Sequence, residues 1–311
     1  MVTVFGGSGF LGRHVVRALA NEGWRVRVAV RSPNTAHFLK PMGRVGQIQI
    51  VKANILDEGA VSRALTHAAA AINLVGILAQ SGSQRFDSIH VEGAARIAGA
   101  ATAHGLALLI HVSALGTGPN VPSRYGRTKA EGEARVREAF PAATIVRSSV
   151  LFGAEDDLFN KFAWLARMAP ALPLIGGGKT RFQPVFVGDV AQAIVQILAD
   201  PTRAGEIYEL GGPEVVTFKQ ILELVLKDTH RKRLLIPVPF GIMRLKGALL
   251  GLLPNPMLTL DQVRMLETDN VVSEGALGLR DLGIAQTAAE AIVPSYLWRF
   301  RKAGQFEAAA S

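Results

Sequence analysis

Cysteine is absent from all 311 residues. That excludes disulfides, cysteine nucleophiles, iron–sulfur ligation and thiolate zinc sites in this chain, and it accords with a reducing compartment. Long apolar runs are missing too. Spanning a bilayer takes about 18 apolar residues, and the nearest approach, Leu234 to Leu260, is broken by four prolines, Arg244 and Lys246. Met1 leads directly into a strand pattern and a glycine turn, with no basic n-region, no apolar h-region and no Arg-rich presequence. The expectation is a bacterial cytoplasmic protein, or a mature form that has lost its leader. The seven histidines show no H-E-x-x-H or similar pairing, so no metal site is expected. Zinc-finger spacing, RNA-recognition aromatics and a helix-turn-helix signal are missing, and no nucleic-acid partner is expected. There is no internal repeat, and Glu307–Ser311 reads as a frayed tail.

What is present is apolar and basic. Apolar residues make up 49 % and charged ones 19 %, which excludes global disorder and supports a large core. The length suits about two domains of roughly 100–200 residues each. The 34 Lys and Arg against 25 Asp and Glu leave a net charge of +9, a balance that favours phosphates or anionic surfaces.

Residues 1–150 alternate strand and helix. Strand patterns lie at Val2–Phe5, Arg25–Val30, Ile48–Val51, Ala71–Val75, Leu106–Val112 and Thr144–Val146. Helical spacing lies between them at Phe10–Glu22, Glu58–His67, Phe86–His104 and Arg124–Phe140. Units of about 30 residues with near-continuously apolar strands predict an α/β fold, a doubly wound parallel sheet of the Rossmann kind. Residues 151–311 read as a smaller α+β cap domain with elements returning to the main sheet. In it, Leu158–Met168, Val190–Ala199 and Phe218–Asp228 are helical, and Pro170–Gly178 is a Pro/Gly-rich stretch.

Gly6-Gly7-Ser8-Gly9-Phe10-Leu11-Gly12 joins the first strand to the first helix. Glycines there permit a tight turn and close approach of a pyrophosphate to backbone N–H groups at the helix start. In this strand–turn–helix context the pattern predicts a dinucleotide site. NAD(H) sites place an acid at the end of the second strand to hold the ribose 2′-hydroxyl. This chain has Arg31-Ser32 there, and Arg13 follows the third glycine. Two guanidinium groups suit a 2′-phosphate, so NADP(H) is expected over NAD(H); the alternative is that either arginine is a solvated surface residue. Asn54 and Ile55, after the third strand, are expected beside the adenine. Val75 and Gly76, after the fourth, are also expected to contact the cofactor.

Tyr125 and Lys129 form a Y-x-x-x-K pair on one helix face. The ammonium is expected to favour the phenolate and lower the tyrosine pKa. Ser113, at the end of the fifth strand, is positioned to bond a carbonyl. The glycine turn, Ser113, Tyr125 and Lys129 together resemble the extended and atypical short-chain dehydrogenase/reductase family. Further runs narrow this: Ile72–Gly76, Ile110–Ser113, Arg137–Pro141, Phe152-Gly153, Gln183–Val187, Leu258–Val263 and Asp281–Ile284. They resemble the family of NADPH-binding accessory subunits of respiratory complex I (the mitochondrial 39-kDa type) in a shorter, bacterial version, over about residues 1–300. That resemblance implies NADPH held as a structural element and no electron flow through the subunit. It also implies partners in the peripheral arm of complex I near the quinone site, at the inner face of a bacterial inner membrane or the matrix side of a mitochondrial one.

The other reading is a free-standing NADP(H)-dependent reductase, epimerase or dehydratase with Ser113, Tyr125 and Lys129 as catalytic residues. Two departures weigh on it. Ala114–Arg124 is only eleven residues, short for a sugar–nucleotide loop, and Ser148-Ser149 stand where many relatives carry a proline. In the C-terminal half, Arg231-Lys232-Arg233 precede a mixed apolar helix with Ile242, Met243, Leu245, Leu249, Leu250, Leu252 and Leu253. That pattern fits an anionic membrane surface or, equally, a helix buried in the cap domain. Tyr296–Lys302 is a second basic–aromatic segment, read as a partner contact or simply as the end of the last helix.

Overall fold

The computed structural model describes residues 1–251 and 258–304. Leu252, Leu253 and the tail Glu307–Ser311 lie outside the described residues. The chain divides into two compact units. The first is Met1–Ser148 with Gly188–Leu210 and Ser273–Ala285, and the second is the rest of the chain.

The first unit is built on β1 (Val2–Phe5), β2 (Val26–Val30), β3 (Ile48–Lys52), β4 (Ala70–Asn73), β5 (Leu108–Ala114) and β6 (Thr144–Ser148). With the strand Ile207–Leu210 they form one seven-stranded sheet in the order Ile207–Leu210, β6, β5, β4, β1, β2, β3. Every pairing is parallel. The order reverses between β1 and β4, and in sheets of this kind ligands bind in the crevice beyond the strand ends at that point.

Helices α1 (Phe10–Asn21), α2 (Glu58–Leu65), α3 (Ala94–Ala103) and α4 (Arg124–Ala139) connect the strands. Leu11, Val15, Val16 and Leu19 form the buried stripe of α1. A core of Phe5, Val61, Leu65, Ile97, Leu109 and Ile145 joins strands to helices. It holds because the strand residues are apolar on both faces: all four positions of β1 and of β4 are buried.

Two local expectations need correction. The fourth strand stops at Asn73, two residues short of Val75, because the Asn73 side chain accepts the Val75 N–H (3.1 Å) and turns the chain. The expected helix Phe86–His104 is not a single α-helix. Its first part, Asp87–Gly93, is π-helical, and such widened turns concentrate at functional sites. A Cβ on Gly132 of α4 would lie 2.0 Å from the His90 carbonyl oxygen, so the two backbones meet where the turn is widened.

The second unit packs the helices Leu158–Met168 and Phe218–Asp228 around Phe152, Phe159, Leu172, Leu222 and Tyr296. Inside the stretch read as Pro/Gly-rich, Ala171–Ile175 forms a strand and pairs in parallel with Leu234–Val238. The helix Phe240–Leu250 buries only Met243 and Gly247. Ile242, Leu245, Leu249 and Leu250 are exposed, which settles the alternative of a buried helix against burial. Tyr296 is buried, with its hydroxyl on Asp156, so it is not part of an exposed contact. No helix among the described residues is long and apolar enough to cross a membrane.

Candidate functional site

The glycine turn sits at the reversal point. Gly6 takes φ +79°, a left-handed conformation that L side chains rarely adopt. A Cβ on Gly12 would lie 2.3 Å from the Gly6 carbonyl oxygen and 2.6 Å from Gly7 Cα. Those two positions are fixed by the chain's own packing. Gly9 is different: a Cβ there would meet nothing closer than the Gly6 oxygen at 3.3 Å. Gly9 is the N-cap of α1 and no side chain caps the helix, so the first-turn N–H groups and the positive end of the helix dipole are presented across an open glycine surface. Gly7 and Leu11 are buried, and Ser8 and Phe10 are partly exposed along the same turn.

The loop after β4 closes one side. A Cβ on Gly6 would touch Val75 Cγ2 at 3.2 Å, and one on Gly76 would lie 3.9 Å from His90 Nε2 and 4.0 Å from Lys129 Nζ. The structure thus brings Gly6, Val75, Gly76 and Lys129 to one crevice. Ser113 is there as well, on β5, buried and with no hydrogen-bond partner for its hydroxyl. An orphaned buried hydroxyl of this kind is stabilised by a ligand or an ordered water.

The second strand's end supplies the cations. The Arg13 guanidinium lies over the Phe38 ring, 5.0 Å from its centroid, which ties the start of α1 to the segment after β2. Arg31 is exposed just after β2. No Asp or Glu occurs between Glu22 and Asp57. Asn54 is exposed after β3, and its Oδ1 accepts the Leu56 N–H (3.1 Å). Its amide nitrogen remains to donate to a ring nitrogen. Ile55 is not at the surface: it is buried against Gly93, so only its backbone can border a base.

The tyrosine–lysine pair departs from expectation. Lys129 is buried and donates to the Val112 carbonyl at 2.8 Å. Burial holds its amine down to about 8. Tyr125 is pushed up to about 12, also by burial, so the sequence-based expectation of a lowered tyrosine pKa fails. Desolvation sets the shift, and the ammonium is directed at a backbone carbonyl instead.

Four polar residues were not singled out as site residues in the sequence. His90 Nε2 accepts the Ile77 N–H (3.1 Å), which leaves the ring proton on Nδ1 to donate to Thr128 Oγ1 (3.0 Å). Its ring packs edge-on to Tyr125 and stacks on Phe86. Burial and the Lys129 charge drive its pKa down to about 3, so it braces Tyr125 as a neutral ring. Asn73 Nδ2 donates to His111 Nδ1 (3.1 Å), placing the second histidine's proton on a buried Nε2 with no partner. The signals were faint: His111 stands two residues before Ser113 on the same strand face, and His90 lies in the widened turn.

Lys129 carries a pH signature. Between about 8 and the ordinary 10.5, the unfolded chain holds a proton that the folded one has lost. Stability of the nucleotide-free protein should therefore rise with pH across that window, by up to roughly 3 kcal/mol. Tyr125 acts oppositely above pH 10, where the unfolded phenol ionises first. Chemical denaturation of wild type and Lys129→Met between pH 7 and 10 should show the rising slope in wild type only. Parallel curves would refute it.

Residues 2–211 match the NAD dependent epimerase/dehydratase family. NADH dehydrogenase [ubiquinone] 1 alpha subcomplex subunit 9, mitochondrial, of Arabidopsis thaliana is 36 % identical over 98 % of this chain and 79 % of its own length. The protein of the same name from Mus musculus is 35 % identical over 93 % and 78 %. The chain belongs to this epimerase/dehydratase family, on the complex I subunit 9 branch. The ceramide reductase of Caulobacter vibrioides is 33 % identical over a shorter stretch, 65 % of this chain and 62 % of its own. Among solved structures, the NADPH-dependent quinone oxidoreductase QOR2 of Escherichia coli shares the fold with a TM-score of 0.76 at 20 % identity, covering 96 % of this chain and 100 % of that one. Family membership makes this an NAD(P)-binding fold. The free helix N-terminus, the glycine surface and the orphaned Ser113 hydroxyl are the features that fit such a cofactor.

Proposed function

We propose that the chain binds NADP(H) as a structural element and serves as an accessory subunit of membrane-associated NADH:ubiquinone oxidoreductase. The observation that carries this is the state of Tyr125 and Lys129. A phenol pushed up to about 12 and an amine engaged with the Val112 carbonyl are suited to gripping a ribose, and such a phenol is poorly suited to exchanging a proton near pH 7. The first-turn N–H groups of α1 hold the pyrophosphate, Arg13 and Arg31 receive the 2′-phosphate, Asn54 and the Ile55 backbone border the adenine, and Lys129 with Tyr125 orients the second ribose. A bound nicotinamide supplies hydride chemistry in principle.

Names of the relatives support partners among complex I subunits. The finer reading is a place in the peripheral arm near the quinone site. There the subunit would lie on the inner face of a bacterial inner membrane, or on the matrix side in a mitochondrion. The exposed Ile242, Leu245 and Leu249, with Lys232 and Lys246 exposed nearby in sequence, suit an anionic bilayer surface. Arg244 is paired with Glu267, and Arg231 and Arg233 hold the carbonyls of Phe300 and Ala166, so those three contribute less.

A second reading has one observation behind it. The unpartnered Ser113 hydroxyl would suit a substrate carbonyl in a free-standing reductase, epimerase or dehydratase with Tyr125 as acid/base. Mass spectrometry of nucleotide released from purified protein should find NADP(H). Gly9→Val should abolish nucleotide retention and co-sedimentation with NADH:quinone oxidoreductase activity, while Tyr125→Phe, which removes one ribose hydrogen bond, should weaken retention by no more than about tenfold and leave co-sedimentation within twofold of wild type. Carbonyl reduction or epimerisation that disappears in Tyr125→Phe would establish the second reading instead.

A further inference from the structure

β3 closes one side of the sheet and, among the described residues, pairs with β2 alone. Val26 donates to the Gln47 carbonyl, and Ala53 donates to the Val30 carbonyl. In a parallel ladder each bonded residue turns both its N–H and its C=O to the same partner. Gln49 and Val51 therefore face β2, and Ile48, Ile50 and Lys52 turn their backbone groups to the open edge. Proteins commonly blunt such an edge with proline, a bulge or a covering element. β3 carries no proline, and the short helix Pro33–Met42 packs against it.

Where β2 and β3 begin lies a recess of about 430 Å³, lined by Met1, Arg25, Val26, His37, Lys40 and the β3 residues Ile48, Gln49 and Ile50. A second of about 710 Å³ continues past Arg25 and Gln47 to Arg44. No Asp or Glu lines either one. Arg25, His37, Lys40 and Arg44 are exposed. The walls are preformed: Gln47 bonds the carbonyls of Ala20 and Trp24 and accepts the Arg44 N–H, pinning the Gly43–Gln47 loop to the end of α1.

We propose that this edge receives an extended acidic segment of a partner protein as an eighth strand. Main-chain bonds to Ile48, Ile50 and Lys52 give the affinity, and carboxylates on alternate residues, about 7 Å apart, meet the cations of the recess. The charge selects this occupant over a second copy of the chain, because edge-to-edge pairing of two copies would set like cations against each other. The proposal stands apart from nucleotide binding and does not rest on the complex I reading.

The probe is a blocked hexapeptide of alternating glutamate and valine, titrated into the nucleotide-loaded protein and followed by backbone NMR. Binding should shift the amides of Ile48, Ile50 and Lys52, and should weaken at least tenfold between 50 and 500 mM salt. Ile50→Pro removes an outward N–H and shortens a half-buried side chain; it should weaken binding at least tenfold, with NADP(H) retention unchanged and the melting temperature within about 4 °C of wild type. Arg25→Glu with Lys40→Glu should weaken it by a similar factor. No binding at millimolar peptide, equal binding of the lysine–valine counterpart, equal binding to Ile50→Pro, or equal binding of a hexathymidylate would each overturn the proposal. So would a dimer in sedimentation that Ile50→Pro dissolves, since the edge would then be taken by a second copy.

Discussion

Gly12→Ala is expected to destabilise the first unit by about 3 kcal/mol or more and to abolish nucleotide retention. The added carbon would sit 2.3 Å from the Gly6 carbonyl oxygen and 2.6 to 2.7 Å from Gly7 Cα and C. All three are backbone atoms in the turn that leads from β1 into α1, so no side chain can swing aside. Either α1 backs away, unpacking Leu11, Val15, Val16 and Leu19, or the turn deforms and loses the Gly6 left-handed geometry. Overpacking against yielding side chains costs about 1–3 kcal/mol, and a rigid backbone on the receiving side places this change at the top of that range. A fall of roughly 6–12 °C in the melting temperature corresponds to it. Gly9→Ala is the control within the same turn: its added carbon meets only one oxygen at 3.3 Å, so its melting temperature without nucleotide should stay within about 2 °C of wild type. Thermal melts with and without NADPH separate the two. A Gly12→Ala protein that melts with wild type would show that the turn is not held by this approach.

The contrast between those glycines also marks what a sequence can carry. The seven-residue turn was legible because strand, glycines and helix follow one another without interruption, and each places the next. The parallel sheet was legible because its strands are apolar on both faces and its helices carry a stripe at 3.6-residue spacing. The state of the tyrosine–lysine pair was not. Spacing puts Tyr125 and Lys129 on one helix face, but whether the ammonium points at the phenol or at the Val112 carbonyl depends on how α4 sits on β5. Burial, which dominates both pKa values, is a property of the assembled unit. The π-helical turn escaped for a similar reason: Asp87–Gly93 has helical composition, and the close approach of Gly132 to the His90 backbone is a contact no local pattern shows. The strand Leu234–Val238 was hidden by Pro237, which interrupts the strand pattern in sequence. The open edge of β3 was equally invisible, since a strand's position in the sheet order is not written in the strand itself.

The second large effect comes from pairs that are remote in sequence. Arg147 on β6 bonds Glu133 of α4 through Nε and Nη2 and reaches Glu209 of the strand Ile207–Leu210 through Nη1. Glu209 in turn accepts the Ser273 N–H at 2.8 Å, so one guanidinium ties a helix, two strands and the returning segment Ser273–Ala285. Both carboxylates are nearly enclosed, with side-chain exposures of 7 % and 9 %, while Arg147 retains 30 %. Arg147→Met leaves two buried carboxylates without their cation. Breaking a buried pair in this way costs about 3–5 kcal/mol, and the partial exposure of Arg147 puts the expected loss near the lower figure. The double variant Arg147→Met with Glu133→Leu should recover part of that loss, because it removes one of the two stranded carboxylates, while Glu209 keeps only the Ser273 N–H. Urea unfolding of wild type, the two single variants and the double variant gives the coupling. Hydrogen exchange adds a local readout: the Ser273 amide should lose protection in Arg147→Met, since Glu209 is then free to turn outward to water. If the single variant unfolds within about 0.5 kcal/mol of wild type, the network contributes no more than an ordinary surface pair. The returning segment would then have to be held by its other contacts, the Tyr208–Leu277 bridge and the bond from Arg203 to the Asp281 carbonyl.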